Sequence, residues 1–126
     1  MKKICAVLTM ALVMLGCSGN QIEIRNEAAG GVYFLFRGVQ HYVASGASTT
    51  ISDAIPNRTY PYSTTYELPP GYDNSDATSD LSGTLSFYRN QTQYVLLYGS
   101  TYGSDSLGSI YHINCNVSSN DPVDGF

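Results

Sequence analysis

Histidine, cysteine and aspartate are the side chains of this chain that could hold a metal ion or attack a substrate. His41 and His112 are its only histidines, and no His-x-x-x-His or Cys-x-x-Cys pattern accompanies them. Serines are abundant, but no Gly-x-Ser-x-Gly elbow is present. The sequence therefore predicts neither a transition-metal site nor a triad hydrolase. We expect a protein that is not an enzyme and that needs no cofactor.

Carboxylates are concentrated in one polar, turn-rich stretch between residues 68 and 80. Asp73, Asn74, Asp76 and Asp80 supply the oxygen ligands that calcium prefers, but their spacing does not match an EF-hand loop. Two interpretations follow: a calcium site formed by Asp73, Asp76 and Asp80, or an acidic loop that is simply solvated.

Cys115 lies in an alternating apolar run, where a buried thiol acts as a small hydrophobic side chain. A catalytic thiol would need a base, and nearby His112 is an odd number of positions away. On a strand, residues at odd separation point to opposite faces. We therefore expect a structural role for Cys115.

Eleven tyrosines and no tryptophan are the most unusual feature of the composition. Tyrosine is a natural strand residue, so a role in the core explains most of them. The alternative is a recognition surface in which tyrosine rings contact sugar or a partner protein. Four tyrosines before and within the long loop are the candidates for such a surface: Tyr60, Tyr62, Tyr66 and Tyr72.

The N-terminus has the pattern of a secretion signal. Lys2 and Lys3 precede an apolar stretch from Ile4 to Leu15, which is shorter than the roughly 20 residues of a membrane-spanning helix. The stretch closes with Met14-Leu15-Gly16-Cys17, which resembles the lipobox of bacterial lipoproteins.

The resemblance to lipoproteins implies cleavage after residue 16 and a lipid anchor on Cys17, with a diacylglycerol thioether and an acylated amino group, for example palmitate. Ser18 in place of aspartate implies the outer membrane of a Gram-negative cell envelope. One alternative is ordinary signal cleavage after Gly19, followed by release of the protein. A disulfide between Cys17 and Cys115 remains possible if Cys17 is not lipidated.

The charge of the mature chain limits its partners. Once Lys2 and Lys3 leave with the signal, four arginines face ten acidic residues, a formal charge of −6. Nucleic-acid binding requires clustered cations that replace the counterions of phosphates. The balance therefore argues against nucleic acid, and equally against an anionic lipid surface, as a partner.

Apolar residues of the mature chain recur at every second position, and turn residues separate the segments. Val32, Phe34 and Phe36 share one face of a predicted strand. Pro61 suggests that its strand is at an edge or bulged. We predict that the segment from Tyr94 to Tyr98 is buried on both sides, and that residues 98–104 form a flexible connection.

These patterns predict an all-β protein, a small antiparallel β-sandwich of 7–8 strands with an immunoglobulin-like or transthyretin-like outline. The expected organisation is a signal peptide over residues 1–16, a lipid-anchored linker over 17–21, the sandwich over 22–118 and a loose tail over 119–126. Two functions remain open: a noncatalytic module that binds a glycan or an envelope protein, and a structural subunit of an envelope or secretion assembly.

Overall fold

The computed structural model of the chain describes residues 19–52, 54–88, 90–105 and 108–120. The predicted signal peptide, Cys17 and the last six residues lie outside these ranges. Within them the chain forms nine strands and no helix. The strands are β1 (Gln21–Asn26), β2 (Val32–Phe36), β3 (Val39–Val43), β4 (Ser48–Ile51), β5 (Thr59–Tyr66), β6 (Asn74–Ala77), β7 (Ser82–Ser86), β8 (Gln93–Asp105) and β9 (Gly108–Ser119).

The strands form two sheets in a sandwich-like arrangement, so the predicted all-β class is confirmed. One sheet has the order β4-β1-β8-β9-β6, and the other has the order β3-β2-β5-β7. The four-stranded sheet is antiparallel throughout. The five-stranded sheet contains two parallel pairs, β1 with β8 and β6 with β9. The predicted antiparallel arrangement therefore holds for the four-stranded sheet and for only part of the five-stranded sheet, and the nine described strands exceed the predicted 7–8.

The core lies between the sheets and follows the predicted alternation. On β2 the side chains of Val32, Phe34 and Phe36 are buried, as expected, while Leu35 between them is exposed. The largest fully buried side chains come from both sheets: Tyr98, Tyr111, Phe34, Phe87, Ile22, Ile24, Leu85, Leu96 and Ile113. Burial of such side chains contributes about 1.5 to 3 kcal/mol each.

Strand β5 lies inside its sheet, between β2 and β7, although Pro61 predicted an edge. The structure shows why proline is tolerated there. Pro61 pairs with Thr84 of β7, whereas the ladder with β2 ends one residue further along, at the pair of Tyr62 with Phe36. On the β2 side, Pro61 therefore has no partner residue that would need its missing N–H.

The last two strands differ from the sequence prediction. Residues 98–104 belong to β8, which continues to Asp105 and pairs with β9 in one long hairpin. Val95 and Leu97 of β8 are half-buried, so only the face of Leu96 and Tyr98 lies in the core. Ser119 closes β9 and the side chain of Asn120 contacts Gln91, so the tail begins later than predicted.

Strand directions and connections define the two ends of the domain. We call the end with Gly19, the Arg37-Gly38 turn and the described residues 52, 54–58, 87–88 and 90–92 the N-terminal end. The opposite end carries residues 27–31, 44–47 and 67–73 and the tip of the β8–β9 hairpin, and we call it the hairpin end. The first described residue and the hairpin tip therefore lie at opposite ends of the strands.

The domain begins earlier than the predicted boundary at residue 22. Asn20 is only 5% exposed, and its Nδ2 donates hydrogen bonds to the Ile55 carbonyl at 2.7 Å and to Asn57 at 2.9 Å. Its Oδ1 accepts one from the Thr92 N–H. Gln21 is already part of β1. Residues 20 and 21 are thus fixed in the domain and do not belong to the predicted linker.

Candidate functional site

The predicted tyrosine surface on β5 faces the core. Tyr62 is only 8% exposed, and its ring centroid lies 5.5 Å from that of Phe34. Tyr60 is half-buried against Phe36 and Phe87, at 5.4 and 5.9 Å. Because these rings pack in the core, Tyr60 and Tyr62 do not form the open recognition surface that the alternation suggested, and the core interpretation is the better one for them.

The other two predicted residues, Tyr66 and Tyr72, lie at the hairpin end. Both are half-buried around Tyr111, with ring centroids 6.0 and 6.1 Å from it. Tyr72 also stacks on Tyr102 at 5.2 Å with an interplanar angle of 13°. Tyr102, which the sequence did not single out, is 60% exposed. Of this pair, Tyr102 is therefore the exposed ring, and the predicted residue Tyr72 supports it from below by stacking.

A second tyrosine pair was missed by the sequence. Tyr33 of β2 and Tyr42 of β3 are directly opposite each other, with ring centroids 4.9 Å apart. Both hydroxyls donate hydrogen bonds of 3.0 Å to the carboxylate of Glu67, one to each oxygen. These hydrogen bonds raise the pKa of Tyr33 and of Tyr42, so both phenols remain protonated donors.

The parity of β2 already placed Tyr33 on the face opposite Phe34. The partners of Tyr33 could not be found from the sequence. Tyr42 lies opposite Tyr33 only because of the register of the β2–β3 hairpin, and Glu67 comes close only because the end of β5 pairs with the start of β2. Any side chain at position 31 would displace the ends of the Tyr42 and Glu67 side chains and so disturb their hydrogen bonds. A Cβ there would lie 2.4 Å from the Tyr42 hydroxyl and 2.7 Å from the Glu67 carboxylate.

A buried asparagine fixes the turn that carries these glycines. Asn26 is 1% exposed, and its Nδ2 donates to the carbonyls of Gly30 and Val43, both at 2.9 Å. The Gly30 N–H donates to the Tyr111 hydroxyl at 3.1 Å. The turn therefore contacts Tyr111, on which Tyr72 packs, and leads directly into β2, which carries Tyr33. We call Tyr33, Tyr42, Glu67, Tyr72 and Tyr102 together the aromatic surface.

The aromatic surface offers ring faces, phenol groups and one carboxylate held in a fixed orientation. Tyr42 and Tyr102 are 50% and 60% exposed, so their rings are open to a partner. Glu67 retains free acceptor positions beside its two phenol hydrogen bonds, since a carboxylate can accept about four. Ring faces together with an oriented acceptor are the groups with which proteins bind sugars or polar peptide surfaces.

The predicted calcium ligands are not brought together. Asp76 contacts the Nδ1 of His112 across the β6–β9 pair, which puts its carboxylate against a ring nitrogen. Over the ranges that the structure covers, no group of three histidine, cysteine or acidic side chains could hold a metal ion. Asp73, Asp76 and Asp80 therefore do not form a cluster in the described part of the chain, and Asp76 has His112 as its partner.

Cys115 is buried, as predicted, with 7% of its surface exposed. Burial raises the pKa of its thiol to about 11, and the hydroxyl of Tyr98 opposes this shift by hydrogen bonding. The thiol is therefore protonated at neutral pH. His112 lies on the other face of β9, also as predicted, since Tyr111 and Ile113 on either side of it are buried.

Comparison with protein-family models, with curated proteins and with solved structures gave no match for this chain. The portion of the chain that the structure covers has no helix with the length and hydropathy needed to cross a bilayer.

Proposed function

We propose that this protein is a lipid-anchored cell-envelope protein whose β-sandwich is a noncatalytic binding module. The observation that supports this proposal most is the placement of the two ends. The chain enters the domain at Gly19, two residues after Cys17, while the aromatic surface lies at the hairpin end. A lipid on Cys17 would therefore hold the module by one end and leave the exposed rings of Tyr42 and Tyr102 at the end away from the membrane.

The anchor is tested directly on Cys17. Cells that express the protein are labelled with radioactive palmitate, and the label is compared with that of Cys17→Ala. We expect label in the unaltered protein and none in the variant, with mass spectrometry showing a modified sulfur on an N-terminal cysteine. Equal label in both proteins, or an unmodified Cys17, would contradict the anchor. The proposed location, the outer membrane, is tested by fractionating the same cells.

The aromatic surface is proposed to bind a glycan or an envelope protein. The detergent-solubilised protein is applied to a glycan array and used in a pull-down from envelope extracts, beside the double variant Tyr42→Ser and Tyr102→Ser. Because an aromatic contact contributes about 0.5 to 1.5 kcal/mol, loss of two should weaken binding by a factor between about 5 and 150. Tyr88→Ser is the matched control, since Tyr88 is 52% exposed at the N-terminal end. Equal losses in both would contradict a site at the hairpin end.

One observation favours the alternative, a structural subunit of an envelope or secretion assembly. Strand β8 continues past the end of β1, which pairs with it only as far as Tyr98. Among the described strands, none pairs with Thr101 to Ser104 on that side. A strand of another protein could add to this edge. Recovery of a stoichiometric protein complex, lost when Thr101→Pro blocks pairing, would support the subunit over the glycan-binding module.

The strand order supports the transthyretin-like outline over the immunoglobulin-like one. In an immunoglobulin domain the first two strands belong to the same sheet. Here β1 and β2 belong to different sheets, and β1 pairs with β4 and β8. Strand β6 is not part of the proposed transthyretin-like outline, and we interpret it as an additional strand at the edge of the five-stranded sheet.

A further inference from the structure

The distance between the proposed lipid and the folded domain is short. Two residues of fully extended chain span at most about 7 Å, and Cys17 is two residues from Gly19. Asn20 is fixed by three hydrogen bonds to residues 55, 57 and 92. The connection between Cys17 and the domain therefore cannot lengthen by release of residue 20. A lipid on Cys17 would therefore bring the N-terminal end of the domain to the headgroup layer.

Charge is distributed unevenly between the two ends. Arg37 and Arg58 are exposed at the N-terminal end, and neither has an ion-pair partner in the described part of the chain. The hairpin end carries the exposed acidic residues Glu27, Glu67 and Asp73. The formal charge of −6 argued against an anionic lipid surface as a partner, but it is a sum over the mature chain and does not show this separation. Among the described residues, the end next to the lipid presents these two cations, and the far end presents the three carboxylates.

Arg37 is held in a position where its charge is accessible. Its guanidinium lies 5.4 Å from the ring centroid of Tyr60 and contacts the Ala54 carbonyl at 3.5 Å. Ala54 also lines a hollow beside Gly19. Two more hollows, of about 240 and 250 Å³, have Arg37 in their walls. The guanidinium of Arg37 therefore lies between hollows, close to Gly19, where the chain enters the domain.

The backbone conformation of Arg37 is unfavourable for arginine, and a function of its charge would explain why an arginine is found at this position. Its φ is +52° and that of Gly38 is +79°, as the two central residues of a type I′ hairpin require. Asparagine is the preferred residue at the first of these positions, and arginine there is strained. Such strain often occurs where a side chain is needed for function.

We propose that the N-terminal end is a membrane-docking surface on which Arg37 and Arg58 bind anionic lipid headgroups. This inference rests on the proposed function, because the lipid on Cys17 brings the surface to the bilayer. Each arginine near an anionic surface contributes about 1 kcal/mol, or roughly a fivefold change in the docked population. Docking orients the domain with the aromatic surface outwards. The exposed side chains of Val39 and Tyr88 lie at the same end and face the interface.

The test uses the absence of tryptophan from the chain. The lipidated protein with Tyr88→Trp or with Tyr102→Trp is reconstituted into vesicles of phosphatidylcholine, alone or mixed with phosphatidylglycerol. Both kinds of vesicle also contain a lipid with a nitroxide on its headgroup, and this nitroxide quenches the fluorescence of nearby tryptophan. We expect quenching at position 88 to increase severalfold with phosphatidylglycerol, and quenching at position 102 to stay low in both vesicles.

The arginines are tested in the Tyr88→Trp background. Arg37→Gln with Arg58→Gln should abolish the increase due to phosphatidylglycerol. Arg25→Gln is the matched control, because Arg25 is exposed, lies on β1 towards the hairpin end and is paired with Glu23 at 2.8 Å. Thermal melting confirms that each variant is folded. Equal quenching in the two vesicles, or an increase that survives the double substitution, would overturn the proposal.

Two further arms separate the possible failures. Inorganic phosphate, added at the ionic strength of a chloride control, should leave the quenching unchanged; a decrease with phosphate alone would overturn the assignment to lipid and indicate a free-phosphate site. Flotation with phosphatidylcholine vesicles reports the anchor separately. Protein that fails to float refutes the proposed function, whereas protein that floats without the effect of phosphatidylglycerol refutes only the docking surface.

Discussion

Cys115 links the stability of the domain to pH. Burial raises the pKa of its thiol from 9.0 to about 11. A thiol with a raised pKa stabilises the fold fully below its unfolded pKa, because only the unfolded chain ionises above that value. We therefore expect the contribution of Cys115 to the free energy of unfolding to fall by on the order of 2 kcal/mol as the pH rises from about 9 to 11. Urea denaturation across this range measures the effect.

The control for this pH dependence is Cys115→Ala. The tyrosines whose pKa values are raised in the fold, Tyr33, Tyr42 and Tyr98 among them, are still present in this variant, and they destabilise the fold as the pH approaches and passes their unfolded pKa, near 10. Between pH 9 and 10 the free energy of unfolding of the variant should therefore fall less steeply than that of the unaltered protein. A slope as steep as that of the unaltered protein would show that Cys115 is not responsible.

Gly30 limits how the hairpin end can be built. A Cβ at this position would lie 2.3 Å from the backbone oxygen of Glu67, which cannot move without disturbing the bond from the Glu67 N–H to the Gly31 carbonyl. Gly30→Ala should destabilise the domain by about 1 to 3 kcal/mol, as overpacking does. Gly99→Ala, where the nearest atom is 3.4 Å away, is the matched control. Equal unfolding midpoints for the two variants would contradict this explanation.

Single residues could be assigned to a face from the sequence, but not to a partner. Alternation correctly placed Cys115 and Ile113 in the core and His112 on the opposite face. It could not show that Tyr62 packs against Phe34 rather than facing a ligand, because both arrangements give the same spacing. The contact of Tyr33 and Tyr42 with Glu67 joins three segments, and only the register of two strand pairs brings them together.

Among the elements, the β2–β3 hairpin is the one whose turn conflicts with its backbone. Arg37→Asn and Arg37→Gln both remove the cation and its contact with Tyr60, and they differ in how well they tolerate a positive φ. Asparagine is preferred in type I′ turns, so Arg37→Asn should unfold at a higher temperature than Arg37→Gln, with a difference of about 1 kcal/mol. A lower melting temperature for the asparagine variant would refute the type I′ assignment.

Elements with strong alternation were predictable, and elements fixed by their neighbours were not. Strand β2 alternates apolar and polar faces, and its bounds follow the pattern. Strand β6 is polar and only four residues long, and it exists because β9 offers a parallel partner at residues 110–113. The glycines at 99 and 103 suggested a flexible connection, yet β9 pairs with every residue of that stretch. Pairing with a neighbouring strand overrode local propensity in both cases.

For the whole molecule, two mechanisms could orient the domain on a membrane, the short tether and the arginines. Insertion of about ten glycine and serine residues between Ser18 and Gly19 lengthens the tether by about 17 Å on average, while the fold and charges stay the same. In phosphatidylcholine vesicles the headgroup nitroxide should then quench the tryptophan of Tyr88→Trp less, because the domain can diffuse away from the surface.

With phosphatidylglycerol present, the lengthened protein should regain part of this quenching, since Arg37 and Arg58 still attract the N-terminal end to the headgroups. The same insertion combined with the two glutamine substitutions should show no such recovery. If the insertion instead abolishes quenching equally in both vesicles, the short tether alone orients the domain. In that case, the separation of arginines from carboxylates along the strands has no part in presenting the aromatic surface.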